Sequence, residues 1–301
     1  MTATANQTAQ PEYMITDIRA RVNTRLTDLS IGSDFAPRLN AAIAHSLLAP
    51  GKRFRPLLCI LLTAEFDGDI DAAMDAGCAA EMVHTASLIL DDLPCMDDAD
   101  LRRGIATTHL QFDESTAILA AVALLNRAYG VIARTDQISA QSRVKLTELL
   151  SRAVGSHGLI AGQVADLENI NTAADAAHVE QVNALKTGAL FDYSILAAAN
   201  ICDLDEDQTN HCQEFSSQIG LAFQLLDDLK DQLMTEVQAG KTIDRDIGKA
   251  TLLALDGHVG AKTRLRGYLR SADEALTALG VAQNSLIRAT IAAQFKMPDT
   301  G

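Results

Sequence analysis

The sequence has few of the residues that interrupt helices or favour sheets. Its 301 residues include no tryptophan, only 4% aromatic residues and six prolines, and no proline lies between Pro94 and Pro298. Such a stretch, with no run of alternating β-branched residues, predicts helix rather than strand. Hydrophobic residues still make up 48% of the chain, so alanine and leucine supply most of the core. The sequence therefore predicts an all-α protein.

The sequence also lacks an excess of positive charge, a disulfide pattern and a membrane-length apolar run. The formal net charge is −14, which argues against a nucleic-acid partner because such binding needs a basic face. Five cysteines form no C-x-x-C pair, which favours the reducing cytoplasm. The N-terminus shows no secretory signal, and no uncharged apolar run approaches about eighteen residues. These absences predict a soluble, cytoplasmic protein with no membrane span.

The apolar pattern predicts one helical domain over residues 1–301, and residues 1–12 are expected to be disordered because they are small and polar. Pro56 fits the first turn of a nearly all-apolar helix, where its missing N–H costs nothing. Further helices are expected at about 15–29, 35–48, 71–92, 112–133, 139–169, 175–199, 205–235, 250–256, 259–279 and 282–294.

A first acidic cluster ends one of the apolar helices. Five carboxylates fall within ten residues: Asp91, Asp92, Asp97, Asp98 and Asp100. His84 and Asp91 share a helix face, and Pro94 is expected to break the helix so that Asp97 folds back toward Asp91. Carboxylates this close repel one another unless cations lie among them, and oxygen ligands alone suit Mg2+. The cluster therefore predicts a magnesium site.

A second acidic cluster repeats this chemistry on another helix. Gln224, Asp227, Asp228 and Asp231 lie at spacings 0, 3, 4 and 7, which places them on one stripe. The remaining positions are mostly apolar, so the carboxylates need compensation. Two such clusters in one chain predict metal binding more strongly than either does alone.

Basic residues accompany both clusters. Three cations, Lys52, Arg53 and Arg55, stand in a break that leads into a helix N-terminus, which favours phosphate binding. Arg102 and Arg103 directly follow the first acidic cluster. A Lys-Thr-Gly run at 186–188 interrupts a good helix, so its glycine predicts a bend or a close approach. Lys241 and Lys249 lie in a loop after the second cluster that is expected to form a lid.

Together these segments resemble the trans-isoprenyl diphosphate synthases, and most closely the geranylgeranyl diphosphate synthases of bacterial carotenoid pathways. The resemblance runs from about His45 to Leu255. The family's D-D-x4-D motif is matched by Asp91, Asp92 and Asp97, and its R-R-G run by 102–104. Its F-Q-x-x-D-D-x-x-D motif is matched by 223–231, and its G-K-x-x-R-P, G-Q-x-x-D and K-T-G blocks by 51–56, 162–166 and 186–188.

The resemblance implies a single large helical bundle around a deep central cavity, usually a homodimer, that joins isopentenyl diphosphate to an allylic diphosphate with Mg2+. By this resemblance Asp91, Asp97 and Asp227 bind Mg2+, supported by Asp92, Asp228 and Asp231. It implies that the allylic diphosphate is held by Arg102, Lys186, Thr187, Gln224 and Lys241. It also implies that isopentenyl diphosphate is held by Lys52, Arg55, His84 and Arg103.

The resemblance also bears on product length. Ala86 lies five residues before Asp91, about 7.5 Å down the helix axis, and Ser87 is next to it. In the family, large aromatic residues here stop growth at farnesyl diphosphate, so Ala86 and Ser87 favour geranylgeranyl diphosphate. One departure concerns Ala121 and Val122, where many members carry Gly-Asp; it leaves cavity or dimer details open.

Other interpretations of the same residues remain. The chain could be a synthase of farnesyl or longer prenyl diphosphates. A class I terpene cyclase would carry an Asn/Ser/Glu second motif and lack the second diphosphate site, and a non-catalytic subunit of a heteromeric synthase would usually lose one acidic motif. A di-iron bundle is suggested by Glu81-x-x-His84, but the second E-x-x-H that it needs is missing.

Overall fold

The structure, a computed structural model, describes residues 11–32, 34–168, 175–237 and 251–296. For residues 11, 13 and 231–237 it describes the backbone only. Lys241 and Lys249, and with them the predicted lid, lie outside the described residues. The first helix begins at Pro11, within the stretch 1–12 that was expected to be disordered, and residues 1–10 lie outside the described residues. The prediction of one domain stays a prediction.

Helices dominate the described part of the chain. In chain order they are α1 (Pro11–Ser30), α2 (Pro37–Leu47), α3 (Phe54–Glu65), α4 (Ile70–Asp91), α5 (Thr108–Gln111), α6 (Glu114–Arg134), α7 (Ala140–Val154), α8 (Leu159–Glu168), α9 (Ala176–Asn183), a π-helical turn (Ala184–Gly188), α10 (Ala189–Ile201), α11 (Glu206–Val237), α12 (Leu252–Ala278) and α13 (Leu286–Gln294). Two strands, β1 (Leu101–Arg102) and β2 (Ile105–Ala106), pair antiparallel. The predicted all-α fold is confirmed.

Helix α4 lies at the centre of the bundle, where its many small side chains allow neighbouring helices to pack closely against it. The Asp69 side chain caps its N-terminus by accepting from the Ala72 N–H at 2.8 Å. At Gly77 a Cβ atom would lie 2.8 Å from the Pro56 Cα, so α3 packs very closely on α4. Both α3 and α6 pack extensively on α4, and these contacts fix the helix end that carries Asp91.

A cluster of phenylalanines joins the C-terminal helices to α3. The Phe54 ring lies 5.9 Å from Phe191, 5.9 Å from Phe223 and 6.1 Å from Phe295. These rings belong to α3, α10 and α11, and to the residue that follows α13. Aromatic pairs at such distances stabilise packing beyond their buried area, so the cluster holds α3 against the helix of the second acidic motif.

Several predicted boundaries differ from the structure. The helix expected at about 139–169 is two helices, separated at 155–158. The hairpin and α5 were not predicted, because their elements are too short to carry a periodic pattern. The break expected after 256 is a kink inside α12, where Gly257 takes a φ of 64° that favours glycine.

Among the described helices, α6 is long and apolar enough to cross a membrane by length and composition. This is a weak indication, because core helices of soluble proteins pass the same test. Helix α6 packs against α2, α4 and α7 through a buried face that includes Ala117, Ala121 and Leu124. Its outer face exposes Ile118, Leu119 and Val122. No membrane-spanning helix is therefore evident in the described part of the chain.

Candidate active site

The first acidic cluster folds back on itself, as Pro94 predicted. After α4 ends at Asp91, the Asp97 N–H donates to the Asp91 carbonyl oxygen at 2.8 Å. The pKa of the Asp91 carboxyl is raised to about 6, mainly by burial and also by the carboxylates of Asp97 and Asp92, against the opposing effect of Lys186. The ionised form of Asp91 is therefore disfavoured until a positive charge approaches.

Asp92 is engaged differently from its neighbour. The Arg102 Nε and Nη2 donate to the same Asp92 oxygen at 2.8 and 2.6 Å. Burial raises the pKa of Asp92, against this hydrogen bonding by Arg102. Asp92 thus anchors the hairpin that carries the two arginines to the end of α4.

The hairpin turn orients Arg103 away from its neighbour. Arg103 and Gly104 take left-handed conformations, with φ of 54° and 81°. The Arg103 Nη2 lies 3.7 Å from the buried carboxylate of Glu81. A Cβ at Gly51 would lie 2.9 Å from the Arg103 Nη1, so the glycine of the G-K-x-x-R-P block leaves room for this arginine.

The three cations at the start of α3 differ in their surroundings. Arg53 is buried and donates to Glu81, Asn23 and two backbone carbonyls, so its guanidinium is committed within the protein. Lys52 is exposed. The Arg55 guanidinium lies 4.6 Å from the centroid of the Phe191 ring, and burial lowers its pKa to about 10 although Glu81 and Asp227 oppose the change. Lys52 and Arg55 remain to meet an anion.

His84 on α4 interacts with arginines of two other segments, Arg55 of α3 and Arg103 of the hairpin. Burial lowers the pKa of its imidazole well below the usual range, and Arg55 and Arg103 lower it further. The ring is therefore neutral at physiological pH, where it can donate a hydrogen bond but adds no charge.

A π-helical turn displays the Lys-Thr-Gly run. The Lys186 Nζ donates to Asp166 on α8 at 2.6 Å, and the Thr187 hydroxyl donates to the Gln224 amide oxygen on α11 at 2.7 Å. The Gln224 amide nitrogen donates in turn to Asp228 at 2.8 Å. Since π-turns often mark functional sites, this turn explains why a glycine interrupts an otherwise good helix.

Two glycines permit the close packing around this turn. A Cβ at Gly162 would overlap the backbone nitrogen of Lys186 and lie 2.7 Å from the carbonyl carbon of Leu185. At Gly220 a Cβ would lie 3.0 Å from the Gly188 Cα. Helices α8 and α11 therefore press on the π-turn from two sides, and both approaches need the absence of a side chain.

Gly162→Ala is expected to destabilise the fold by about 2–3 kcal/mol, because the new methyl group meets backbone that cannot rotate away. The midpoint of urea unfolding measures this change. Gly267→Ala is the matched control, since a Cβ at Gly267 on α12 meets nothing within 4 Å. That helix-interior change is expected to stabilise by up to about 1 kcal/mol. Equal stability of the two variants would contradict the close approach.

Comparison with known proteins identifies the family of this chain. Residues 36–277 match the family described as polyprenyl synthetase. The chain belongs to the polyprenyl synthetase family. A geranylgeranyl diphosphate synthase of Pseudescherichia vulneris is 40% identical over 89% of the chain and 87% of that protein. A farnesyl diphosphate synthase of Bacillus subtilis (strain 168) is 34% identical over 90% of the chain and 93% of that protein.

Solved structures of similar proteins share the architecture. A farnesyl/geranylfarnesyl (FPP/GFPP) synthase from Zymomonas mobilis superposes with a TM-score of 0.82 at 30% identity, over 95% of this chain and 98% of that one. A geranyltransferase from Legionella pneumophila gives 0.85 at 28% identity, over 96% and 98%. The predicted family and the predicted activity of a prenyltransferase that elongates prenyl chains are confirmed.

In this polyprenyl synthetase each acidic segment interacts with basic residues of another element. Asp91 interacts electrostatically with Lys186 of the π-turn, and Asp227 interacts with Arg55 before the second turn of α3. The Thr187–Gln224 hydrogen bond joins the π-turn to the helix of the second motif. The side chain of Asp231 is not described, so its predicted role stays a prediction.

The donor set fits a hard cation that is shared with a ligand. Within the described residues no three acidic, histidine or cysteine side chains gather closely enough to make a metal site by themselves. The raised pKa of Asp91 nevertheless marks a carboxylate that a cation would relieve. Mg2+ typically takes one or two protein carboxylates and completes its shell with water and phosphate oxygens. The residues present fit that pattern.

Two buried residues beside this site were not predicted from the sequence, Arg53 and Glu81. Glu81 appeared only in a rejected di-iron pattern, and Arg53 only as one of three cations. The E-x-x-H spacing that suggested iron was a valid signal that Glu81 and His84 share a helix face. Nothing in the sequence indicated that arginines, rather than a metal, lie against that face.

Proposed function

We propose that this polyprenyl synthetase is a magnesium-dependent geranylgeranyl diphosphate synthase that condenses isopentenyl diphosphate with an allylic diphosphate. The observation that carries the proposal is the pairing of two acidic segments with two separate groups of cations. Lys186 of the first group interacts electrostatically with Asp91, and Arg55 of the second interacts electrostatically with Asp227. Two diphosphates need two such groups, whereas one substrate needs only one.

The allylic diphosphate is assigned to the cations around the π-turn. Arg102 reaches the end of α4 through Asp92, and Lys186 and Thr187 stand on the turn, with Thr187 bonded to Gln224. Lys241 joins this group by the family resemblance. In this assignment Asp166 positions Lys186 until substrate arrives, and charge-assisted hydrogen bonds then hold the diphosphate.

Isopentenyl diphosphate is assigned to the cations at the start of α3 and on the hairpin. Lys52, Arg55 and Arg103 supply positive charge, and neutral His84 supplies a hydrogen-bond donor. Stacking on Phe191 at 4.6 Å fixes the plane of the Arg55 guanidinium, which orders its donors toward one side. The apolar parts of both substrates are assigned to the helical bundle rather than to the two groups of cations.

Asp91, Asp97 and Asp227 are assigned to hold Mg2+, with Asp92, Asp228 and Asp231 supporting them. When bound, Mg2+ neutralises the charge that develops on the departing diphosphate. Asp92 and Asp228 orient Arg102 and Gln224 through the hydrogen bonds described above, so their contribution is to geometry rather than to charge neutralisation.

In the proposed reaction the allylic C–O bond breaks and its electron pair leaves with the diphosphate. The double bond of isopentenyl diphosphate attacks the allylic carbon, and the proton then lost passes to the released diphosphate. Lys186, Thr187 and Arg102 donate hydrogen bonds to the leaving group, and such preorganised donors stabilise developing charge. No protein nucleophile is required.

We assign geranylgeranyl diphosphate as the product because Ala86 and Ser87 are small. The relatives include both geranylgeranyl and farnesyl diphosphate synthases, so product length rests on these two positions. Farnesyl diphosphate or a longer prenyl diphosphate is the second candidate product. The five free cysteines are consistent with a cytoplasmic location. The geranylgeranyl diphosphate synthases among the relatives are consistent with a role in carotenoid biosynthesis.

The test is incubation of the purified chain with farnesyl diphosphate and labelled isopentenyl diphosphate, with and without Mg2+. We expect geranylgeranyl diphosphate by chromatography, its loss with a chelator and its return with added Mg2+. A labelled product that forms equally in chelator contradicts the metal assignment. No extension at all contradicts the synthase and leaves a non-catalytic subunit, and a cyclic hydrocarbon from the allylic substrate alone would indicate a class I terpene cyclase.

We also propose a homodimer that buries the outer face of α6. Ile118, Leu119 and Val122 are 43%, 59% and 55% exposed and form a continuous apolar stripe, one of the features of a protein interface. The stripe also explains why α6 meets the composition of a membrane span. In a symmetric dimer the stripe packs on its own copy.

Leu119→Glu with Val122→Glu is expected to give a monomer, because the two-fold axis brings four carboxylates into one apolar interface. Size-exclusion chromatography with light scattering should give about twice the 32.1 kDa chain mass for the wild type. Val259→Glu is the control, since this valine on α12 is 82% exposed and lies outside the stripe. A dimer that survives both substitutions contradicts this interface.

A further inference from the structure

A buried acid links the two segments assigned to isopentenyl diphosphate. Glu81 lies on α4, 2% exposed, in the turn before His84. Its carboxylate accepts from the Arg53 Nη1 at 2.6 Å and lies 3.7 Å from the Arg103 Nη2. One carboxylate thereby joins the break before α3 to the hairpin after α4.

The first of these arginines is immobile. Arg53 takes a left-handed backbone conformation with φ of 51°, and its guanidinium also donates to the Asn23 side chain and to the carbonyl oxygens of Leu47 and Ala49. Because these partners hold the Arg53 guanidinium in place, it cannot move with the Glu81 carboxylate. Glu81 is therefore fixed by Arg53, and not the reverse.

The second arginine has more freedom. The Arg103 side chain is 21% exposed and follows a two-residue strand. Gly51 leaves room beside the guanidinium, since a Cβ there would lie 2.9 Å from the Arg103 Nη1. The contact with Glu81 is thus what sets the direction of the guanidinium toward the space that it shares with His84 and Arg55.

We propose that Glu81, fixed by Arg53, is a positioning residue that orients Arg103 for the diphosphate of isopentenyl diphosphate. This inference rests on the proposed function. In this proposal the buried Arg53–Glu81–Arg103 chain of contacts holds the hairpin, and with it Arg103, in a fixed position relative to the rest of the isopentenyl diphosphate site. Glu81 itself does not touch the substrate, since a carboxylate beside a diphosphate would repel it.

Two effects of Glu81 act in opposite directions on binding. Its negative charge weakens the positive field of the site, so pure screening predicts that Glu81→Gln strengthens diphosphate binding. Its contact with Arg103 orders a flexible side chain, so positioning predicts that the same change weakens binding. We expect ordering to dominate, because a free guanidinium must lose its rotational freedom at each binding event.

Glu81→Gln is expected to raise the KM for isopentenyl diphosphate about tenfold. The KM for the allylic substrate should stay within about twofold, and kcat should change little, because the lost contact serves binding in the ground state and the transition state alike. Steady-state kinetics with each substrate varied in turn measures the split. A merely structural role would not separate the two substrates.

Asp75→Asn is the matched control. Asp75 is a buried acid on the same helix, paired with Arg25 at 2.7 Å, and it lies outside the proposed site. Its loss should lower the thermal midpoint much as Glu81→Gln does, because each variant removes one buried partner. Neither KM should change in Asp75→Asn.

An unchanged or lower KM for isopentenyl diphosphate in Glu81→Gln would overturn the proposal, and so would an equal rise for both substrates. If Glu81→Gln does not fold, Glu81→Asp decides, since it keeps the charge but withdraws it from Arg103. A rise confined to isopentenyl diphosphate then supports the proposal, and unchanged constants overturn it. A wild-type chain that fails to extend any primer would contradict the proposed function itself.

Discussion

Asp91→Asn is expected to lower kcat by about a thousandfold, because an amide oxygen does not carry the charge that holds a divalent cation against a departing diphosphate. Losing one preorganised electrostatic group of this kind costs roughly two to three orders of magnitude in rate. Steady-state kinetics at saturating Mg2+ measures the loss. The matched control is Asp100→Asn, an exposed acid nine residues further along the same segment, for which kcat should stay near the wild-type value.

The same substitution should not destabilise the metal-free protein. The folded-state pKa of Asp91 is raised from 3.8 to about 6 by burial and neighbouring carboxylates. The folded state therefore binds the proton more tightly, and stability falls as pH rises from about 4 to about 6 and stays low above that window. At pH 7 without Mg2+ the penalty is about 3 kcal/mol, and Asn removes it. A thermal midpoint that drops in Asp91→Asn would contradict this assignment.

Ser87→Phe changes the dominant product from geranylgeranyl to farnesyl diphosphate. Ser87 lies four residues before Asp91, on the helix face that also carries His84. Ser87 retains accessible surface, and its hydroxyl bonds only locally, to the His84 carbonyl oxygen at 2.9 Å. A ring there should enter the space beneath the carboxylates and oppose the last elongation by about 1–3 kcal/mol. The ratio of the two products should therefore change by about fivefold to about 160-fold.

Ala86 tests which face of α4 measures the chain. Ala86 has no exposed surface and belongs to the hydrophobic core, so Ala86→Phe should shift the product in the same direction but also lower stability. Ser87→Ala removes the hydroxyl without adding volume and should leave the product unchanged. If Ala86→Phe shifts the product and Ser87→Phe does not, the chain is measured on the face that carries Ala86.

The family could be predicted from the sequence because its signals are local. The spacing of Asp91, Asp92 and Asp97 is a property of consecutive residues, and so is the fold-back that Pro94 introduces. The single stripe that carries Gln224 and Asp227 follows from helical periodicity alone. These patterns needed no tertiary information, and the described helices bear them out.

The partners of the charged residues could not be predicted in the same way. The charge pattern alone does not distinguish Arg53, which is committed within the protein, from Arg55, and only the family motif separates the two. The difference arises because Arg53 lies against Glu81, 28 residues away in the chain, and such a contact exists only after α3 and α4 have packed. Lys186 and Asp166 meet across 20 residues for the same reason.

The sequence by itself determined an all-α protein of the polyprenyl synthetase family with two acidic segments, because composition and helical spacing act over a few residues. Only the tertiary structure showed which positive charges are committed within the protein, as Arg53 is to Glu81 and Asn23. The physical reason is desolvation: a buried guanidinium needs a partner for its charge, and the packing of the helices decides whether that partner is a carboxylate, as for Arg53, or an aromatic ring, as for Arg55. Gly51, Gly77 and Gly162 set those approaches by the side chains that they lack.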